Sequence, residues 1–106
     1  MAQPVLSAEG SQLQATYNVA VKCYIANAHA RGQRQRAGDA AKADYYSNKA
    51  AQAYDAAHVV GAALGLSRTR MTADFEAAQA RQLPAMVRDQ AYFYAAVADC
   101  KAAGLM

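Results

Sequence analysis

The sequence predicts an all-α fold, an antiparallel up-down-up three-helix bundle with its third helix kinked at Pro84. Three observations carry that expectation: an apolar set dominated by alanine, apolar residues recurring at helical spacing, and glycines where the stripes stop. Alanine loses no side-chain entropy in a helix, and the β-branched residues that favour strands are few. The chain has 106 residues, 55% of them apolar, and no Trp, which suits a single helical domain over 1–106 with one core. Alanine offers little area to bury, so the helices must approach closely, and such a thin core invites covalent support.

The first helix is expected from Ser11 to Arg31. Ser11 and Gln14 form a capping box, and Leu13, Tyr17, Ala20, Tyr24 and Ala28 supply the stripe. Gly32 to Gly38 reads as a connection. Asp39 caps a second helix ending at Leu64, with Tyr46, Ala50, Ala53, Ala57 and Val60 on its apolar face and Gly65 as its stop. The third helix is expected from Ala73 to Ala103, started by Asp74, Phe75 and Glu76 and stopped by Gly104. Pro84 either bends this helix or opens a fourth one, giving a four-helix bundle as the alternative. Arg81-Gln82-Leu83 contains no turn-forming residue, which favours the bend.

Cys23 and Cys100 lie on the apolar stripes of the first and last segments. At about 1.5 Å per residue, a straight third helix carries Cys100 to within roughly 15 Å of Cys23 along the bundle, whereas reversal at Pro84 would leave roughly 30 Å between them. A Cys23–Cys100 disulfide is therefore expected in preference to two buried thiols, and it implies an oxidising compartment. The opening Met1-Ala2-Gln3-Pro4 reads as a mature start with Met1 added, the signal peptide being absent from this sequence. Periplasmic or extracellular localisation follows as the expectation.

Several chemistries lack their residues. There is no HExxH, Cys-x-x-Cys or Cys-x-x-Cys-His, and no glycine loop leads into a Lys-Ser or Lys-Thr pair, so no metal or cofactor is expected. His29 and His58 fall far apart along the bundle, and Asp55 with His58 reads as a helix-surface pair. Gly61-Ala62-Ala63-Leu64-Gly65 reads as close helix packing at Gly61 followed by a cap, because Asp55 and His58 just upstream rule against a membrane context. No stretch is long and apolar enough to span a membrane.

Two groups remain as candidates for binding. Arg31, Arg34 and Arg36 are candidate anion contacts, set at the opposite end of the bundle from Arg68 and Arg70. Tyr45, Tyr46, Tyr92 and Tyr94 are the candidate binding face, because neighbouring residues point about 100° apart around a helix and cannot all enter the core. The sequence thus predicts a non-enzymatic exported module that binds a protein, a peptide or a small apolar ligand. The alternative is a cytosolic nucleic-acid-binding domain using the loop arginines, with reduced cysteines and salt-sensitive affinity.

Overall fold

The computed structural model describes residues 8–106, and the mature-start reading of Met1 to Pro4 falls outside them. The described residues form four helices: α1 Ala8–Arg36, α2 Ala40–Ala63, α3 Arg68–Arg88 and α4 Gln90–Ala102. The alternative four-helix bundle is therefore the observed architecture, and the three-helix expectation is corrected. None of these helices is long and apolar enough to cross a membrane.

α1 extends further at both ends than expected. Ser11 lies inside the helix and caps nothing, while Gln14 donates from Nε2 to Asn18 Oδ1 at 3.0 Å. At the other end α1 runs through Gly32, whose cost of about 1 kcal/mol is outweighed by the helix-forming Gln33-Arg34-Gln35-Arg36 that follows. The stop comes at Gly38, where φ is +76°. There the Asp39 amide donates to Arg34 O at 2.9 Å and the Gly38 amide to Gln35 O at 3.1 Å, closing the helix end.

α2 matches expectation closely, with the Asp39 carboxylate accepting from the Lys42 amide at 3.1 Å. It descends along α1, so that Tyr54 meets Tyr24 and Gly61 meets Tyr17. A side chain at Gly61 would collide with Met71 Sδ and come within 3.0 Å of Tyr17, so this glycine permits a three-helix contact.

α3 begins at Arg68 rather than Ala73, because Ser67 is already an effective N-cap and accepts from the Arg70 amide at 3.0 Å. It rises past Tyr17 and Tyr24, and Phe75 meets the Tyr24 ring edge-on at 5.2 Å. Pro84 lies within α3, and the helix continues to Arg88. Residues Ala80 and Pro84 are both exposed, so the proline lies on the solvent-facing side of α3.

The chain reverses at Asp89, the only residue between α3 and α4. Its backbone is extended, and its carboxylate accepts from the amides of Ala91 at 3.0 Å and Tyr92 at 3.2 Å. α4 then descends beside α1: Phe93 packs against His29, and Cys100 reaches Cys23. The disulfide forms with a Cα separation of 5.5 Å. Reversal was expected to prevent this bridge, and the reason it does not is length. α3, with 21 residues, rises roughly 32 Å before turning, and the descent from Asp89 to Cys100 then covers only about 16 Å.

Both cysteines are completely buried. Beside them, Lys22 and Asp99 pair at 2.6 Å, and the buried Asn27 donates from Nδ2 to Leu105 O at 2.8 Å, drawing the chain after α4 back onto α1. Replacing Cys23 and Cys100 together by Ala is expected to lower stability to urea by roughly 4 kcal/mol, since the bridge closes a loop spanning most of the chain. Urea melts of the oxidised protein and the double variant measure this directly.

At the other end of α1, the buried Tyr17 donates its hydroxyl to Asp74 Oδ2 at 2.8 Å. Burial first, then the hydrogen bond and the charge of Asp74, push the Tyr17 hydroxyl up to about 12. A folded-state value above the unfolded value of about 10 means that this stabilisation is complete below pH ~10 and is lost as pH rises towards 12, by on the order of 2 kcal/mol. Tyr17→Phe should lack this alkaline loss, which parallel chemical denaturation of both proteins across pH 9 to about 12 would reveal.

Candidate functional site

The reversal at Asp89 has a consequence at the upper end of the molecule, where α1 ends, α2 starts and α3 gives way to α4. A cleft of about 670 Å³ opens there. α1 contributes His29, Gln33, Arg34 and Arg36, and α2 contributes Tyr45 and Tyr46. The end of α3 supplies Met86, Val87 and Arg88, while α4 supplies Phe93, Tyr94, Val97 and Lys101. Met106 closes the rim, where Tyr45 donates its hydroxyl to a backbone carboxylate oxygen of Met106 at 3.2 Å.

The apolar part of the cleft follows from helix geometry. Phe93 is buried and meets the edge of the His29 ring at 4.9 Å. With Phe93 turned inward, its neighbours must diverge: Tyr94 is 59% exposed and faces the cleft, while Tyr92 is 38% exposed and lies outside the lining. On α2 the same divergence leaves Tyr46 half-buried and Tyr45 exposed, with their rings packed edge to face at 5.2 Å. Lys49 lies over the Tyr45 ring, 5.8 Å from its centre.

The polar part is cationic. Arg34, Arg36, Arg88 and Lys101 line the cleft, and no Asp or Glu does so among the described residues. The two ion pairs found among the described residues, Lys22–Asp99 and Arg70–Asp74, lie elsewhere and involve none of these four. All four also sit in last turns of helices, Arg34 and Arg36 in α1, Arg88 in α3 and Lys101 in α4, where a cation suits the negative end of the helix dipole.

Of the residues singled out from sequence, the cleft thus brings together Tyr45, Tyr46, Tyr94, Arg34 and Arg36. Tyr92 is excluded, and Arg31 points to neighbouring grooves, where it reaches Ser47 Oγ at 3.4 Å. Arg68 and Arg70 remain at the far end, with Arg70 bonded to Asp74 at 3.0 Å. His29, Arg88 and Lys101 were not anticipated. The readable signal was Asp89, whose capping of α4 turns the chain and carries Arg88 to the arginines of α1.

Among the described residues no cluster of His, Cys, Asp and Glu could hold a metal ion. His58 is occupied with its own helix, its Nδ1 lying 2.9 Å from Tyr54 O while its ring stacks on Phe75. It makes no ion pair with Asp55. The only imidazole in the cleft, His29, has its pKa lowered, first by burial and then by the charge of Arg36. A depressed folded-state value means that any stability linked to His29 is present above its unfolded pKa of about 6.5 and declines as pH falls below it. An NMR titration of the His29 ring should give a midpoint below about 6.5, moving upward in Arg36→Ala. No protein-family model, characterised protein or solved structure matches this chain, so its functional reading rests on this geometry alone.

Proposed function

We propose that this protein is a non-enzymatic, exported binding module whose binding site is the cleft between α1, α2, the end of α3 and α4. One observation carries the reading: three tyrosines and Phe93 converge on a concavity of about 670 Å³, within the roughly 300 to 1,000 Å³ usual for small-ligand sites. Tyrosine suits such a surface, because its ring buries apolar area while its hydroxyl remains satisfied at a wet edge. The occupant is a small ligand or a side chain presented by a peptide or protein. Export is supported by the buried Cys23–Cys100 bridge, since structural disulfides persist in oxidising compartments.

The nucleic-acid alternative is less well supported. A phosphate backbone is tracked by a continuous strip of cations, whereas Arg34, Arg36 and Arg88 are gathered into one cleft and Arg68 lies at the other end.

Ligand-observed and protein-observed NMR with a mixed set of aromatic fragments tests the proposal. Shifts should concentrate on His29, Tyr45, Tyr46 and Tyr94, and Tyr94→Ala should weaken the bound fragments by roughly five-fold or more while Tyr92→Ala leaves them unchanged. Binding that ignores Tyr94, or shifts scattered over the surface, would reject this cleft as the site.

A further inference from the structure

The rings account for apolar affinity, and the four cations are left over. Arg34, Arg36, Arg88 and Lys101 come from α1, α3 and α4, yet face one cleft with no Asp or Glu lining it among the described residues, and the backbone carboxylate of Met106 at its rim pairs with none of them. The dipole argument explains why single cations sit at helix ends. It does not explain why the cations of three helices gather around one set of rings. Among the described residues, two cations elsewhere are paired with carboxylates, Lys22 with Asp99 across helices and Arg70 with Asp74 along α3, so what distinguishes the cleft is the convergence of four cations on one concavity. Gathered like charges repel one another, and a concave low-dielectric wall focuses their field, so an anion entering the cleft gains from both effects. Arginine also offers a planar donor fork that matches carboxylate, sulfonate and phosphate oxygens.

Building on the proposed binding role, we infer that the cleft selects an amphipathic organic anion: a small molecule with an aromatic or apolar body and one acidic headgroup. The body lies against Phe93, Tyr46 and Tyr94, and the headgroup is met by the cationic side chains of the lining, Arg34 and Arg88 among them. The volume of about 670 Å³ admits a ligand of two or three fused or linked rings and does not require an extended polymer.

Two fluorescent probes separate headgroup from body. Anilinonaphthalene sulfonate carries the anion, and N-phenylnaphthylamine has the same ring system without it. With the oxidised full chain, the sulfonate should bind one site per molecule at least ten-fold more tightly than the neutral probe at low salt. The gap should narrow as salt is raised and the charges are screened. Arg34→Gln, Arg88→Gln and Lys101→Gln should each weaken the sulfonate by roughly three- to ten-fold and leave the neutral probe unaffected. Arg68→Gln, at the far end, should change neither, and circular dichroism checks that each variant remains folded.

Equal affinity for the two probes, or sulfonate binding indifferent to all three charge variants, overturns the anion inference. If both probes are nonetheless weakened by Tyr94→Ala, the cleft stands as an apolar binding site and only its charge selectivity is refuted. Failure of both probes to bind overturns the inference as well, and the fragment experiment then decides the fate of the binding role independently.

Discussion

α1 is surrounded, and everything else in the structure adjusts to that constraint. Ala20, Val21, Cys23, Ile25, Ala26 and Asn27 are all buried, and at about 100° per residue these positions point in every direction around the helix axis. A helix buried on all sides must be narrow if its neighbours are to reach one another, which is what alanine allows. The same economy leaves little area to bury, so each contact that fixes a neighbour to α1 matters more than it would around a core of large side chains. Gly61 and Tyr17 show the tolerance involved, since even a methyl group on α2 has no room at that crossing.

α4 is the helix for which this matters most. With 13 residues it lies near the ~12 to 15 below which an isolated helix is marginal in water. Its attachment combines the disulfide, the Lys22–Asp99 pair and the Asn27 amide holding Leu105. The exposed ion pair is worth at most about 1 kcal/mol, so the covalent link and the buried amide dominate. Because α4 forms a wall of the cleft, the integrity of the candidate site and the oxidation state of the cysteines are physically connected.

The helical character and the capping of α2 by Asp39 were legible in the sequence because each depends on local chemistry, whereas the Cys23–Cys100 pairing was expected from a straight third helix and forms instead across the reversal at Asp89. The number of helices was not legible. Pro84 drew attention as the obvious breaker, yet an exposed proline costs a helix less than a missing reversal costs the bundle, and the decisive residue was the N-cap Asp89 just beyond it. Ser67 was passed over in the same way, because the charges at Asp74 and Glu76 resembled a first turn. In the cleft, the divergence of adjacent tyrosines could be read from periodicity alone. Both Tyr45 and Tyr46 line the cleft, but which of Tyr92 and Tyr94 would do so depended on a helix direction that only the reversal determines, and so Tyr94 and Arg88 belong to the site while Tyr92 does not.

The uninterrupted passage of α1 through Gly32 makes one rigid rod of the bridge and the arginines. Cys23 sets the rotational phase of that rod, and Arg34 and Arg36 inherit it three turns away. A single residue inserted after Gly32 would leave the cystine where it is while rotating both guanidinium groups by about 100° around the axis. The disulfide therefore acts at a distance as an angular reference, fixing which side of the helix end carries positive charge.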